Sequence, residues 1–152
     1  MEDAHVLSRL RRFLLVTSAL LFVGALVELW LVGHAETAVQ LIPFALCGLG
    51  LVCALVALAR PVRAAVLALR ACMALVVLGS LYGVYEHVVE NVAFQREILP
   101  GSTTGELVSA GLGGANPLLA PGILALAAAL ALAATYYHPA LTKGREQHAG
   151  RA

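Results

Sequence analysis

Four long apolar runs alternate with short polar stretches along the chain. The first, Phe13 to Leu31, is interrupted only by Thr17, Ser18, Gly24 and Glu28. It is too long for the apolar core of a signal peptide and has no small-residue cleavage pattern. The second runs from about Leu41 to Leu58, the third from near Pro61 to about Asn91, and the fourth from Pro117 to Tyr137. Each is long enough for the roughly 17–25 residues that an α-helix needs to cross a hydrocarbon core. The pattern predicts helices over about 10–33, 40–59, 62–92 and 117–138. The fold class is therefore all-α: a four-helix transmembrane bundle over 1–139, with a polar tail over 140–152.

The connections differ in length. Gly33-His34-Ala35-Glu36-Thr37 makes a tight polar turn, and Arg60-Pro61-Val62-Arg63 a basic one. Pro43 falls in the first turn of the second helix, where a missing N–H is tolerated. Between helices 3 and 4 lies one long outer loop, 92–116, with Pro100-Gly101 and the glycine-rich stretch from Gly111 to Gly114. A Ser/Thr start predicts a short helix inside it, Thr104 to Leu112. At the far end Tyr136, Tyr137 and His138 close the fourth helix and Pro139 stops it.

Small and polar residues break the apolar pattern along faces. At ~100° per residue, Cys72, Gly79, Gly83, Glu86 and Glu90 fall within roughly 60° of one another on the third helix. The glycines form a GxxxG pair of the kind that lets a second helix approach closely. Thr17, Gly24 and Glu28 share a stripe on the first helix, which predicts that this face looks inward, with Trp30 opposite as an interfacial anchor. Gly48 and Gly50 are expected to thin the middle of the second helix. Arg63 and Arg70 lie opposite the Glu86 stripe and are expected to snorkel to the headgroups.

Composition supports the class: the chain of 152 residues is 61% hydrophobic and only 12% charged, about half the charge of a soluble domain. The lipid bilayer is the expected environment, together with other membrane subunits or self-association. No basic run or aromatic–basic interleaving points to nucleic acid. Cys47, Cys53 and Cys72 lie in apolar runs without a CxxC pair and read as small buried hydrophobes. Arg9, Arg11, Arg12, Arg60, Arg63, Arg70, Lys143, Arg145 and Arg151 fall on one side of the bundle and Arg96 alone on the other. The positive-inside rule then places both termini in the cytoplasm.

Depth brings the acids together. Glu28 lies fifteen residues past Phe13, and Glu86 fifteen past Ala71, so each stands about 22 Å above the cytoplasmic boundary. They are expected to approach each other across the bundle, with His87, Glu90 and Asn91 above them and His34 and Glu36 overhanging from the first turn. Ionisable groups at such depth are costly and mark function by default. Glu28, His34, Glu86, His87 and Glu90 are the candidate ligands of a divalent metal ion, since carboxylate and imidazole suit zinc, manganese or iron. His87 and Glu90 are i,i+3 neighbours, as in bundle di-metal sites, although the second Glu-x-x-His copy is absent. Glu36, Asn91 and Glu97 extend the polar site on the same outer face. His34 and His87 are alternative axial ligands for haem. Close carboxylates that share a proton suit proton passage, with Thr17, Ser18, Cys72 and Ser80 as a thin polar chain toward the cytoplasm. No catalytic triad, Walker loop or dinucleotide fingerprint is present, so no catalytic residue is assigned.

Three segments resemble a group of small bacterial inner-membrane proteins without an assigned activity: His87-Val88-Val89-Glu90-Asn91-Val92-Ala93-Phe94-Gln95-Arg96-Glu97, Asn116-Pro117-Leu118-Leu119-Ala120-Pro121-Gly122 and Tyr136-Tyr137-His138-Pro139. The resemblance covers about half of the chain. It implies a four-span protein of the bacterial inner membrane and transfers no catalytic role. The outline is also similar to DoxX-like proteins and to four-helix quinone-linked oxidoreductases, whose disulfide-forming members need a thiol pair missing here. From residues and resemblance together, the expected function is that of an accessory or ligand-binding membrane subunit. The alternatives are a metal- or haem-dependent redox protein and a proton-coupled transporter.

Overall fold

A computed structural model describes residues 2–142. Lys143, Arg145, Arg151 and most of the predicted tail lie outside the described residues. Five helices follow one another: α1 (Glu2–Leu31), α2 (Leu41–Ala59), α3 (Arg63–Ile98), α4 (Thr104–Gly113) and α5 (Leu119–Ala134). Helices α1, α2 and α3 are long and apolar enough to cross a membrane. At 16 residues α5 is shorter and spans roughly 24 Å at ~1.5 Å per residue.

Helix α5 packs chiefly against α1 and α3, and α2 packs against the same two. The four form a ring in the order α1–α2–α3–α5, with α1 and α3 making no close backbone contact with each other. The centre is filled by Phe22 from α1, Leu46, Cys47 and Ala54 from α2, Leu69, Met73 and Val76 from α3, and Ala127, Ala128 and Ala131 from α5. Phe22 is fully buried and fits because Gly50 faces it: a Cβ at Gly50 would stand 2.6 Å from the ring. The alanine face of α5 lets its neighbours close around it, as small residues do in membrane bundles.

Several boundaries differ from the sequence expectation, for physical reasons. Helix α1 begins at Glu2, because the polar segment before Phe13 contains no glycine or proline to stop it. Helix α3 continues six residues beyond position 92, to Ile98. The polar residues after Glu86 mark where hydrocarbon ends, whereas the helix itself stops at Leu99, which Pro100 forces out of helical geometry. The long loop is thereby shortened, and α4 occupies its middle. A capping box starts α4: the Glu106 N–H donates to Thr103 Oγ1 and the Thr103 N–H to Glu106 Oε2. The Thr103 N–H and, after it, the Thr103 hydroxyl, which also donates to Glu106 Oε2, hold the Glu106 carboxyl below its ordinary range.

Helix α1 ends in a Schellman-like turn. Gly33 takes a φ of +67°, its N–H donates to the Trp30 carbonyl, and the His34 N–H reaches back to Leu29, satisfying carbonyls the last turn leaves open. The inward face of α1 is Leu15, Ser18, Ala19, Phe22 and Ala25. Gly24 is exposed with nothing near its missing Cβ, so the stripe expected from Thr17 and Gly24 is displaced by one position. Gly48 likewise has nothing near it.

Helix α5 ends earlier than expected, at Ala134, and its end is built from other helices. Arg70 donates through Nε to Thr135 Oγ1 at 2.9 Å and through its terminal nitrogen to the Thr135 carbonyl at 3.0 Å. Arg11 donates to the carbonyls of Tyr136 and Tyr137 at 3.3 and 3.0 Å. Arg70 therefore turns inward to cap a helix C-terminus, where positive charge is favoured, instead of snorkelling outward. His138 lies beside these arginines; burial first, then the charges of Arg11 and Arg70, push its pKa down. Its Nδ1 accepts from the Ala140 N–H at 3.2 Å, as a neutral imidazole can.

Candidate functional site

At the end of the bundle opposite Arg11 and Arg70, the ring of helices opens. Small residues cause this. Ala25, Gly79, Gly83 and Ala120 line the space between the helices, and none carries a side chain long enough to fill it. The result is a cavity of about 650 Å³ bounded by α1, the turn before α2, the start of α2, α3 and the start of α5. Its size falls within the ~300–1,000 Å³ of small-molecule sites. Below it, Phe22, Met73 and Val76 close the bundle.

Five sequence-predicted residues line this one cavity: Glu28, His34, Glu86, His87 and Glu90. Helix α1 presents Glu28, the turn at Gly33 swings His34 in, and α3 contributes the other three. Glu28 and Glu90 are exposed, while His34, Glu86 and His87 are half-buried. Glu28 and Glu86 stand on α1 and α3, the two helices that do not touch, so they face the cavity from separate walls. Among the described residues no three His, Cys, Asp or Glu side chains converge to hold one metal ion. Glu36 and Glu97 are not on the cavity wall. The Glu36 backbone N–H donates to Gln40 Oε1, ordering the turn, and Glu97 is exposed near the end of α3.

Three predicted site residues, Asn91, Glu90 and His87, have structural work to do. Asn91 is buried; its Nδ2 donates to the carbonyls of Gly111 and Asn116, and its Oδ1 accepts from the Asn116 N–H at 2.8 Å. It fastens α4 and the start of the α5 segment to α3. Asn116 Nδ2 in turn donates to Glu90 Oε2 at 3.0 Å. His87 Nδ1 donates to the Pro117 carbonyl at 2.9 Å. Pro121 has no N–H to donate to that carbonyl, which otherwise receives only a long 3.4 Å bond from the Ala120 N–H. The His87 bond holds the imidazole at the cavity wall and leaves Nε2 to act there.

The sequence reading missed several lining residues. Tyr82, Gln40 and Thr37 add polar groups, and Leu29, Val32, Ile42, Leu46 and Leu124 make much of the wall apolar. Tyr82 stands one turn before Glu86 and carried a signal in its spacing. Gln40 and Thr37 carried none, because the turn that brings them in depends on the Gly33 backbone. Compared with known proteins, the chain matches no family model, no curated protein and no solved structure. Fold and site define its class on their own: a helical membrane protein whose bundle is packed at one end and hollow, acidic and histidine-bearing at the other.

Proposed function

We propose that this is a small polytopic membrane protein that binds a small ligand in the acid-lined cavity, as a ligand-binding or accessory subunit of the bacterial inner membrane. In this reading α5 is a fourth, short span, both termini are cytoplasmic and the cavity opens outward, following the distribution of arginine and lysine. The observation that carries the reading is the cavity itself: about 650 Å³ of space, part apolar and part carboxylate and imidazole. A bundle needing only to fold would fill such a space, because unfilled volume forfeits packing energy.

Binding is favoured over passage by how the hydroxyls at the cavity floor and below it are used. Ser18 donates to the Ala127 carbonyl at 2.8 Å and Ser80 to the Pro121 carbonyl at 2.5 Å, so the two hydroxyls serve helix packing. Between them the centre is occupied by buried apolar side chains. The test is thermal unfolding of the detergent-purified protein against a panel of small amphiphiles of differing charge. At least one class raises the melting temperature through mass action on the folded state, and Ala120→Trp, which projects a bulky ring into the cavity from the α5 wall, removes the effect. A panel that leaves the wild-type melting temperature unmoved would overturn the proposal.

A further inference from the structure

Resting on the reading of the cavity as a ligand site, we propose that its ligand is an amphiphilic organic cation, an apolar body bearing a protonated amine or a quaternary centre. Three properties of the wall select this chemistry. First, its fixed acids are Glu28, Glu86 and Glu90, and no lysine or arginine lines it. An anion would face three carboxylates with only the imidazoles of His34 and His87 to offset them. A neutral apolar molecule would displace water from these carboxylates and offer them no charge in return, which is costly. Second, the acids are spread over walls that do not touch, and no metal-ligand group converges among the described residues. A bare divalent ion needs several oxygen or nitrogen ligands around one point. A diffuse organic cation is satisfied by carboxylates on separate sides of it. Third, Leu29, Val32, Ile42, Leu46 and Leu124 supply apolar surface beside the acids, and Tyr82 adds an aromatic ring of the kind that attracts cations to its face.

Two ions of nearly the same shape and opposite charge isolate the charge requirement. Binding of tetraphenylphosphonium and of tetraphenylborate to the purified full-length protein in nanodiscs is measured by equilibrium dialysis. Comparison variants are Glu28→Gln, Glu86→Gln, the double variant and Ala120→Trp. The Gln variants keep side-chain shape, and their folding is checked by circular dichroism. The proposal expects saturable binding of about one phosphonium per protein, weakened at least ~10-fold in the double variant and lost in Ala120→Trp, and no saturable binding of the borate; tenfold is about 1.4 kcal/mol, within reach of one desolvated charge contact. If the borate binds as well as the phosphonium and Ala120→Trp blocks both, the cavity remains a ligand site but the cationic class is overturned. The same holds if phosphonium binding survives both Gln substitutions. If Ala120→Trp alters the binding of neither ion, the cationic proposal fails and the cavity reading fails with it.

Discussion

Gly83 and Gly24 look alike in the sequence, each a glycine in an apolar helix, yet they do opposite things. A Cβ at Gly83 would stand 3.1 Å from Pro121 Cβ, and a proline ring has little freedom to give way. Gly83→Leu should therefore destabilise the folded protein by about 1–3 kcal/mol through overpacking. Gly24 has open space around its Cβ position, so Gly24→Leu should change stability by no more than about 0.5 kcal/mol. Thermal unfolding of both variants in one detergent checks the contrast, and equal effects would contradict the packing described. Gly79 is intermediate, because the atom it would meet is the end of the flexible Leu46 side chain. Asn91 makes the other sharp prediction at this scale. Removing a buried side chain that satisfies three backbone groups leaves those groups unpaired, at about 1–3 kcal/mol each. Asn91→Ala should release α4, read as new protease cleavage between residues 99 and 116 in an otherwise folded protein. The GxxxG spacing makes the packing role of Gly79 and Gly83 legible in the sequence alone. The inward face of α1 is not legible in that way, because Thr17 and Gly24 match a small-residue stripe as well as Ser18, Phe22 and Ala25 match a mixed one.

Helix α5 has almost no polar side chains of its own, and the structure shows how such a helix is held in register. It offers carbonyls, and its neighbours supply donors: His87 at Pro117, Ser80 at Pro121, Ser18 at Ala127, and Arg70 and Arg11 beyond its last turn. Each of these donors comes from α1 or α3, so α5 joins the two helices that do not touch. Such bonds average about 0.6 kcal/mol in membrane proteins, and the double variant Ser18→Ala/Ser80→Ala should lose roughly 1–2 kcal/mol by the same reckoning. The pH dependence of the arginine end follows from His138. Burial and the two arginines hold its pKa below the ordinary 6.5, so between the lowered and ordinary values the unfolded chain binds more protons than the folded one. Stability is then fully present above 6.5 and falls as the pH drops through this window. The melting temperature should decrease as the pH is lowered from about 7.5 to about 5, and the decrease should shrink in His138→Asn; a variant with an unchanged pH slope would assign it elsewhere. Helix existence and order were readable from hydropathy, whereas helix ends were not. Hydropathy reports where lipid stops, and the ends of α1 and α3 are set by glycine, proline and capping groups that lie beyond it.

For the whole molecule, one asymmetry organises everything else. The arginine-rich end is capped and closed, and the carboxylate-rich end is hollow. Six of the nine acids (Glu28, Glu36, Glu86, Glu90, Glu97 and Glu106) and the two site histidines lie toward the hollow end, and counting residues along each span was enough to place them there. That a cavity lies between the helices they stand on was not readable, because the ring order of the helices decides it. With α1 and α3 on a diagonal, Glu28 and Glu86 face one space from two sides. The proposed orientation predicts that Glu36→Cys and Thr104→Cys are labelled by an impermeant maleimide added to intact cells and that Arg145→Cys, beyond the described residues, is not. The most direct test of the account extends the same chemistry into the bundle, in a background with Cys47, Cys53 and Cys72 replaced by alanine. Glu28→Cys and Glu86→Cys, on the cavity wall, should react with maleimide from the outer side, while Ser18→Cys and Val76→Cys, in the packed centre, should react from neither. Unreactive cysteines at 28 and 86, or reactive ones at 18 and 76, would contradict a cavity open at one end and closed below.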